Sequence, residues 1–174
     1  MNISPLSPAD VGRVVAFFER IPEGDRTFFK EPVTGAATVE GWLSDGSTRL
    51  LAVDGDDVVG YAAVIPGVGW SSHVGELRLV VDPNRRREGL GAALAKAALA
   101  AALTGGRSKV VVEAIATQDA TIALFAGLGF QPEALLVDHV RDAGGELHDL
   151  MVLALYGEET WSTLIAAGLD EVLD

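Results

Sequence analysis

Apolar residues recur along this chain with two periods, the two-residue period of a strand and the 3.6-residue period of a helix. Apolar runs at 49–53 and 58–65 flank the polar segment 54–57, which predicts a β-hairpin. We predict one mixed α/β domain over 1–174, because no linker or repeat divides the chain. The other predicted elements are, in chain order, a short strand at 3–5, a helix from Ser7, a helix at 37–43, a strand at 73–81, a helix at 92–103, a buried strand at 109–115, a helix at 118–128, a hairpin of strands 134–141 and 146–156, and an appended terminal helix within 158–172.

The strand at 73–81 has a clear two-residue alternation. Successive side chains of a strand point to opposite faces, so this pattern assigns each residue to one of two faces. Leu77, Leu79 and Val81 are predicted on one face, and Glu76, Arg78 and Val80 on the other.

The segment from Val81 to Ala92 joins this strand to an alanine-rich helix and is the most informative part of the sequence. It contains three consecutive arginines followed by Gly89 and Gly91. The first-turn amides of a helix lack intrahelical acceptors, and the helix dipole adds positive potential there, so an anion can bind them. Glycine leaves the backbone open to a diphosphate, and arginine attracts it. The segment therefore predicts a polyphosphate site. The alternative is a solvated turn whose glycines only cap the helix.

Two other nucleotide-binding patterns fit this segment poorly. A dinucleotide-binding loop requires a third glycine where this chain has Leu94. A Walker A loop requires a Gly-Lys pair followed by serine or threonine, and the sequence contains no such run.

The chain is acidic, with 13 basic against 25 acidic residues and a formal net charge of −12. This charge disfavours nucleic acid and an anionic membrane as partners, because neutralising phosphates requires an excess of lysine and arginine. The absence of cysteine excludes disulfides, thiolate metal sites and a cysteine nucleophile. The sequence shows no secretory signal and no apolar run of the ~18 residues that a membrane span needs, so we expect a cytoplasmic protein.

Three segments and the order of the elements resemble the GNAT superfamily of N-acetyltransferases. The run Arg86-x-x-Gly89-x-Gly91 is similar to the acetyl-CoA loop of that family. Residues 113–130 resemble its second cofactor segment, and 140–151 resemble the closing hairpin of its peptide N-terminal acetyltransferases. The resemblance implies a mainly antiparallel, splayed sheet flanked by helices. It also implies direct transfer of an acetyl group from acetyl-CoA to a primary amine, without a metal.

The resemblance further implies which residues hold acetyl-CoA. Backbone groups of Leu79, Val80 and Val81 are expected to hydrogen-bond the pantetheine arm. The amide of Val80 or Val81 is expected to polarise the thioester carbonyl, since backbone donors are preorganised before charge develops. The expected cofactor residues are Leu79, Val80, Val81, Arg86, Arg87, Glu88, Gly89, Leu90, Gly91, Ala92, Gln118 and Phe125.

Two glutamates are candidates for the general base. Glu113 occupies the place of the glutamate base in peptide N-terminal acetyltransferases. A carboxylate inside the apolar run 110–115 is unusual, because a strand interior disfavours an unpaired charge and raises its pKa. Glu76 lies on the strand before the loop. The alternatives are that Glu113 lies at a strand edge or pairs with an arginine, and that Glu76 pairs with Arg78 or another cation.

Phe125 stands where this family usually has a tyrosine that protonates the leaving thiolate, and a phenyl ring cannot do so. General acid catalysis is typically worth about 10²–10⁴-fold, and a thiol of pKa near ~8.5 leaves tolerably as thiolate. Tyr61, Tyr156 or a water molecule is expected to substitute, with Tyr156 counted among the candidate catalytic residues. The alternative is a non-catalytic acyl-CoA-binding or sensing module.

The acceptor is expected to be a peptide N-terminus or a small-molecule amine. In this superfamily the segment 25–30 borders the acceptor, so Arg26 and Phe28 or Phe29 are expected to contact substrate; ordinary packing is the alternative. The three histidines are too scattered along the sequence to predict a metal site. Dimers are common in the superfamily, which makes a homodimer compatible with the resemblance.

Overall fold

The strands expected from the alternating pattern are present in the computed structural model, which describes residues 2–26 and 29–157. Within these residues they form one sheet, in which the strands Val74–Val81 and Lys109–Ile115 are parallel and the other neighbouring pairs are antiparallel. The predicted mixed α/β fold with a mainly antiparallel sheet is confirmed. The strands are β1 (Asn2–Pro5), β2 (Thr48–Asp54), β3 (Asp57–Pro66), β4 (Val74–Val81), β5 (Lys109–Ile115), β6 (Gln131–Arg141) and β7 (Leu147–Tyr156), in the spatial order β1-β2-β3-β4-β5-β7-β6.

Helices cover both faces of the sheet. They are α1 (Val11–Arg20), α2 (Glu23–Arg26), α3 (Ala36–Trp42), α4 (Leu90–Thr104) and α5 (Asp119–Gly127). Among the described helices, none has the length and apolar character needed to cross a membrane. The terminal helix predicted within 158–172 lies outside the described residues.

Helix α4 is apolar on almost every side because it packs against β2, β3 and β4. Leu90, Leu94 and Leu99 are fully buried, and the alanines between them let the helix approach the sheet closely. Gly60 on β3 allows this approach, since a Cβ there would lie 2.6 Å from Cδ1 of Leu94. The packing fixes the first turn of α4 beside the end of β4.

The side chains of β4 divide between two hydrophobic cores, as their alternation predicts. One core lies under α4 and α5 and contains Leu77, with Leu79 and Val81 packed against it. The other lies under α1 and α3, and Val80 packs against it. Glu76 therefore lies on the face of the sheet that carries α1 and α3.

Candidate active site

Strands β4 and β5 are paired at one end only. Their parallel register joins 74–76 of β4 to 109–111 of β5 and ends at Glu76 and Val111. Beyond these residues the two strands part, which leaves a gap between 77–81 and 112–115. In the middle of a sheet, such a gap exposes backbone groups that no neighbouring strand uses.

The direction of the β4 backbone groups follows from two hydrogen bonds at the ends of the strand. The amide of Asp82 donates to the carbonyl of Val59 at 3.0 Å, and the amide of Gly67 donates to the carbonyl of Val74 at 2.9 Å. Both pairs belong to the β3–β4 register, in which backbone groups alternate in direction. The even-numbered residues of β4, Val80 among them, therefore direct their amide and carbonyl groups towards β3.

The odd-numbered residues of β4 direct their backbone groups towards the gap. Leu79 and Val81 are the two expected pantetheine contacts with this orientation. Val80 requires a correction, because its amide faces Tyr61 of β3 and not the gap. Of the two amides expected to polarise the thioester carbonyl, that of Val81 is the one with the required direction.

The start of α4 has the features expected of an anion site. Gly89 precedes the helix with φ of 80°, in the left-handed region that favours glycine. The amide of Ala93 donates to the carbonyl of Gly89 at 3.0 Å and closes the first turn. The amides of Leu90, Gly91 and Ala92 precede it, and no acceptor for them lies among the described residues. Three backbone donors are thus available to a ligand.

The three arginines before Gly89 have different surroundings. Arg85 pairs with Asp54 (Nη1 to Oδ2, 2.7 Å) and with Glu88 (Nε to Oε2, 2.8 Å). The guanidinium of Arg85 and the carboxylate of Glu88 are therefore already paired within the loop region. Arg86 reaches Asp25 of α2, with 2.7 Å between Nη2 and Oδ2. Arg87 is exposed, and its guanidinium has no partner in the described part of the chain.

Alanine substitutions at the two loop glycines are expected to have opposite effects on stability. Gly89→Ala should lower the free energy of unfolding by about 1–2 kcal/mol, because alanine is strained at positive φ. Gly91→Ala should raise it by up to about 1 kcal/mol, since a Cβ there makes ordinary contacts at 3.7 Å with Leu124 and Val81 and alanine favours a helix. Urea unfolding measures both changes, and equal effects of the two substitutions would contradict the described loop conformation.

The two candidate bases lie on the same face of the sheet and share one cation. Val110 and Val112 of β5 belong to the core under α4, so Glu113 lies on the opposite face, as Glu76 does. Lys30 places its Nζ 2.6 Å from Oε2 of Glu113 and 3.0 Å from Oε1 of Glu76. Both carboxylates are about one-quarter exposed. The structure therefore brings both candidates to the point where β4 and β5 part.

Further ion pairs extend this group across the sheet towards β2. Arg78 contacts Glu76 and also Glu31, with 3.0 Å between Nη1 of Arg78 and Oε2 of Glu31. Arg49 is buried and contacts Glu31 and Asp45. Four carboxylates thus face three cations. The group consists of Glu31, Asp45, Glu76, Glu113, Lys30, Arg49 and Arg78.

The surroundings of Glu76 make it a poor base. Burial alone would raise the pKa of Glu76, but hydrogen bonds and charges from Arg78 and Lys30 outweigh it and hold the pKa below its ordinary value. A carboxylate with a lowered pKa accepts a proton less readily.

Glu113 pairs with Lys30. This differs from the alternative expected from the sequence, in which Glu113 pairs with an arginine.

Tyr156 lies at the paired end of β5, away from the gap. In the β5–β7 register Tyr156 is opposite Lys109. Lys109 is four residues before Glu113 on β5, which corresponds to about 13 Å along the strand. The Tyr156 hydroxyl donates to Oε1 of Glu133 at 2.7 Å. This position gives no support to the expected role of Tyr156 as a proton donor to the thiolate.

Tyr61, the other candidate proton donor, is buried on β3. Its hydroxyl accepts a hydrogen bond from Nη1 of Arg49. Burial raises the pKa of the Tyr61 phenol well above its ordinary value, although the charge of Arg49 opposes this effect. A phenol with a raised pKa releases its proton less readily, so Tyr61 is poorly suited to the same role.

Phe125 and Gln118, the two residues of the second cofactor segment that were expected to contact acetyl-CoA, have mainly structural contacts. Phe125 is fully buried in the core under α4 and α5, with its ring 5.3 Å from that of Phe130 in an edge-on arrangement. Gln118 precedes α5, and its Oε1 accepts a hydrogen bond from the amide of Ile115 at 3.1 Å. Gln118 thus ties the end of β5 to the start of α5.

Lys30 is the residue whose position the sequence analysis did not foresee. It belongs to the segment 25–30, which the resemblance associated with the acceptor, but the substrate contacts expected there were Arg26 and Phe28 or Phe29. Phe28 lies outside the described residues, and Phe29 packs against the core under α1 and α3. The one feature of the sequence that distinguishes Lys30 is the rarity of lysine, which occurs at only three positions.

Comparison with known proteins relates this arrangement to one family. Residues 16–130 match the family model of the Acetyltransferase (GNAT) family. Among solved structures, the ribosomal-protein-alanine N-acetyltransferase from Brucella melitensis is similar with a TM-score of 0.78 and 23% identity, covering 90% of this chain and 99% of that chain. A GNAT superfamily phosphinothricin acetyltransferase from Sinorhizobium meliloti, in complex with acetyl-CoA, is similar with a TM-score of 0.78 and 20% identity, covering 90% of this chain and 89% of that one. These likenesses show the fold.

A curated relative is closer in sequence. The mycothiol acetyltransferase of Rhodococcus opacus is 34% identical over 151 residues, which cover 85% of this chain. The match covers 47% of that relative, so this chain spans about half the length of the curated protein.

Proposed function

The chain belongs to the GNAT family of acetyltransferases, and we propose that it transfers the acetyl group of acetyl-CoA to a primary amine by direct attack in a ternary complex. The observation that carries this proposal is the parting of β4 from β5. The gap presents the backbone donors of Leu79 and Val81, with the start of α4 beside the end of β4 on one face of the sheet and the carboxylate of Glu113 on the other face. The residues present fit acetyl-CoA, since free helix amides suit its diphosphate and free strand groups suit its pantetheine arm.

The diphosphate would be held by the amides of Leu90, Gly91 and Ala92, with Arg86 and Arg87 supplying positive charge. Arg86 has Asp25 as its partner in the described residues. A diphosphate would compete with Asp25 for the guanidinium, because charge-assisted hydrogen bonds to phosphate are stronger than an exposed ion pair.

The chemical step would use Glu113 as the base and a backbone amide as the oxyanion donor. Glu113 would accept a proton from the acceptor ammonium, and the neutral amine would attack the thioester carbonyl. The amide of Val81, directed into the gap, would stabilise the negative charge that develops on the carbonyl oxygen. The leaving thiolate would take its proton from solvent, because Tyr156 lies at the paired end of β5, burial raises the pKa of Tyr61, and the phenyl ring of Phe125 has no proton to donate.

The acceptor class is a cationic primary amine, on a small molecule or at a peptide N-terminus. The ion-paired group around Glu113 contains one more carboxylate than cations, which favours a positively charged acceptor. The relative in Rhodococcus opacus is named for mycothiol and the structural neighbour in Brucella melitensis for ribosomal-protein alanine, so these names leave both acceptor types open.

Amine-dependent release of CoA from acetyl-CoA tests this function. A thiol reagent detects the released CoA, and a protein without cysteine adds no background. We expect release with at least one class among peptides with free N-termini, polyamines, amino acids and aminoglycosides. Acetyl-CoA binding by titration with no release across the panel would contradict an enzyme and favour the second candidate, an acyl-CoA-sensing module, which is motivated by the lack of a phenolic hydroxyl at Phe125.

A further inference from the structure

Lys30 presents a primary amine beside both candidate bases of the proposed reaction. Its Nζ lies 2.6 Å from Oε2 of Glu113 and 3.0 Å from Oε1 of Glu76. These two carboxylates lie where β4 and β5 part, beside the proposed path of the pantetheine arm. The Lys30 side chain is 44% exposed, so it remains open to solvent while it pairs with the two carboxylates.

We propose that Lys30 is a modification site that the enzyme acetylates on its own chain when acetyl-CoA is bound. The proposal rests on the proposed acetyltransferase function, because it uses the same donor and the same base. It adds a second substrate, the side chain of Lys30, which occupies the place of the acceptor amine.

The step balances in the same way as transfer to a free amine. The Lys30 ammonium gives one proton to Glu113, from which it passes to solvent. The neutral nitrogen attacks the thioester carbonyl, so that a nitrogen–carbon bond forms and the carbon–sulfur bond breaks with its electron pair left on sulfur. The second proton lost from nitrogen balances the proton that the CoA thiolate takes up. The products are an acetylated lysine, CoA and one proton released to solvent.

The other two lysines of the chain lack this arrangement and serve as internal references. Lys109 pairs with Glu133, with 2.5 Å between Nζ and Oε1, at the paired end of β5. Lys96 lies in the middle of α4. Chemical acetylation by free acetyl-CoA would reach all three lysines, whereas acetylation through Glu113 would select Lys30.

Acetylation would also change the acceptor site. An acetylated lysine carries no positive charge and cannot bridge Glu76 and Glu113. Glu76 would keep Arg78, but Glu113 would lose the cation that pairs with it among the described residues. The carboxylate of Glu113 would then be left to pair with the ammonium of an incoming acceptor.

Mass-spectrometric peptide mapping with trideuterated acetyl-CoA, in the absence of an acceptor, tests the proposal. The isotopic label separates new acetylation from any acquired during expression. We expect Lys30 to gain the label about 10² or more times faster than Lys96, in line with the usual contribution of a general base. The rate per molecule should not change when the protein is diluted, because the reaction occurs within one chain.

Three variants distinguish acetylation of Lys30 through Glu113 from chemical acetylation. Glu113→Gln should slow labelling of Lys30 by about 10² or more, because glutamine cannot accept the proton. Lys30→Arg should abolish labelling at that position. Lys96→Arg is the matched control, which makes the same change on α4 and should leave the labelling of Lys30 unchanged.

Two results would overturn the proposal. Labelling of Lys30 no faster than that of Lys96 would exclude acetylation through Glu113, and a rate per molecule that rises in proportion to protein concentration would exclude the reaction within one chain. If the same preparation released CoA with an added amine, the proposed function would stand. Absence of both labelling and CoA release in protein that binds acetyl-CoA would overturn both.

Discussion

Glu113→Gln is expected to lower kcat for amine acetylation by about 10²–10⁴-fold and to leave the affinity for acetyl-CoA unchanged. Glutamine has nearly the same shape as glutamate but cannot accept a proton from the acceptor. The side chain lies on the face of β5 opposite the α4 core, near Lys30 and away from the helix start that is expected to hold the diphosphate. Steady-state kinetics with the best acceptor, together with titration of acetyl-CoA, measures both quantities.

The matched control for this substitution is Glu76→Gln, which makes the same change on β4. Its effect on kcat should be much smaller, because Arg78 and Lys30 hold the pKa of Glu76 below its ordinary value and make it a weak base. The defect of Glu113→Gln should also shrink at alkaline pH, where the acceptor amine is already neutral. Equal kcat values for wild type and Glu113→Gln across the pH range would remove Glu113 from the mechanism.

Arg86→Glu is expected to weaken acetyl-CoA binding by about 10²-fold or more. Hydrogen bonds to charged groups contribute about 1.5–3 kcal/mol, and the substituted carboxylate adds repulsion of the diphosphate. The substitution also places a carboxylate beside Asp25, the present partner of Arg86. Isothermal titration of acetyl-CoA measures the dissociation constant, and circular dichroism checks that the fold is retained.

Arg141→Glu is the control for Arg86→Glu. It makes the same change of charge at the β6–β7 turn, where the Arg141 guanidinium donates to the carbonyl of Gly145. If Arg86 acts by contacting the diphosphate directly, Arg141→Glu should leave acetyl-CoA binding nearly unchanged at physiological salt. The reason is that exposed charges farther apart than a Debye length of about 8 Å are largely screened. Equal weakening by both substitutions would indicate a general effect of net charge and would contradict a specific role for Arg86.

The loop between β4 and α4 could be predicted from the sequence because its physical basis is local. The positive φ of Gly89 and the free amides of the first helical turn both depend on residues within a few positions of each other. The side-chain faces of β4 were predictable for the same reason, since they follow from a two-residue period.

The choice between Val80 and Val81 could not be made from the sequence. The direction of a strand's amides depends on which strand lies on each side, and the register with β3 turns the amide of Val80 away from the gap. The position of Tyr156 could not be predicted from the sequence for a similar reason, because only the pairing of β7 with β5 places it opposite Lys109.

The sequence by itself determined the order of the strands and of the longer helices, the glycine-containing start of α4 and the family resemblance, since these depend on periodicity and on contiguous motifs. Only the tertiary structure decided how the charged groups meet. Lys30, Glu76 and Glu113 are far apart along the chain and lie together because β4 and β5 are adjacent and the segment before α3 reaches their end. Ion pairing depends on distances of a few ångströms, and these are set by packing across the sheet rather than by neighbouring residues.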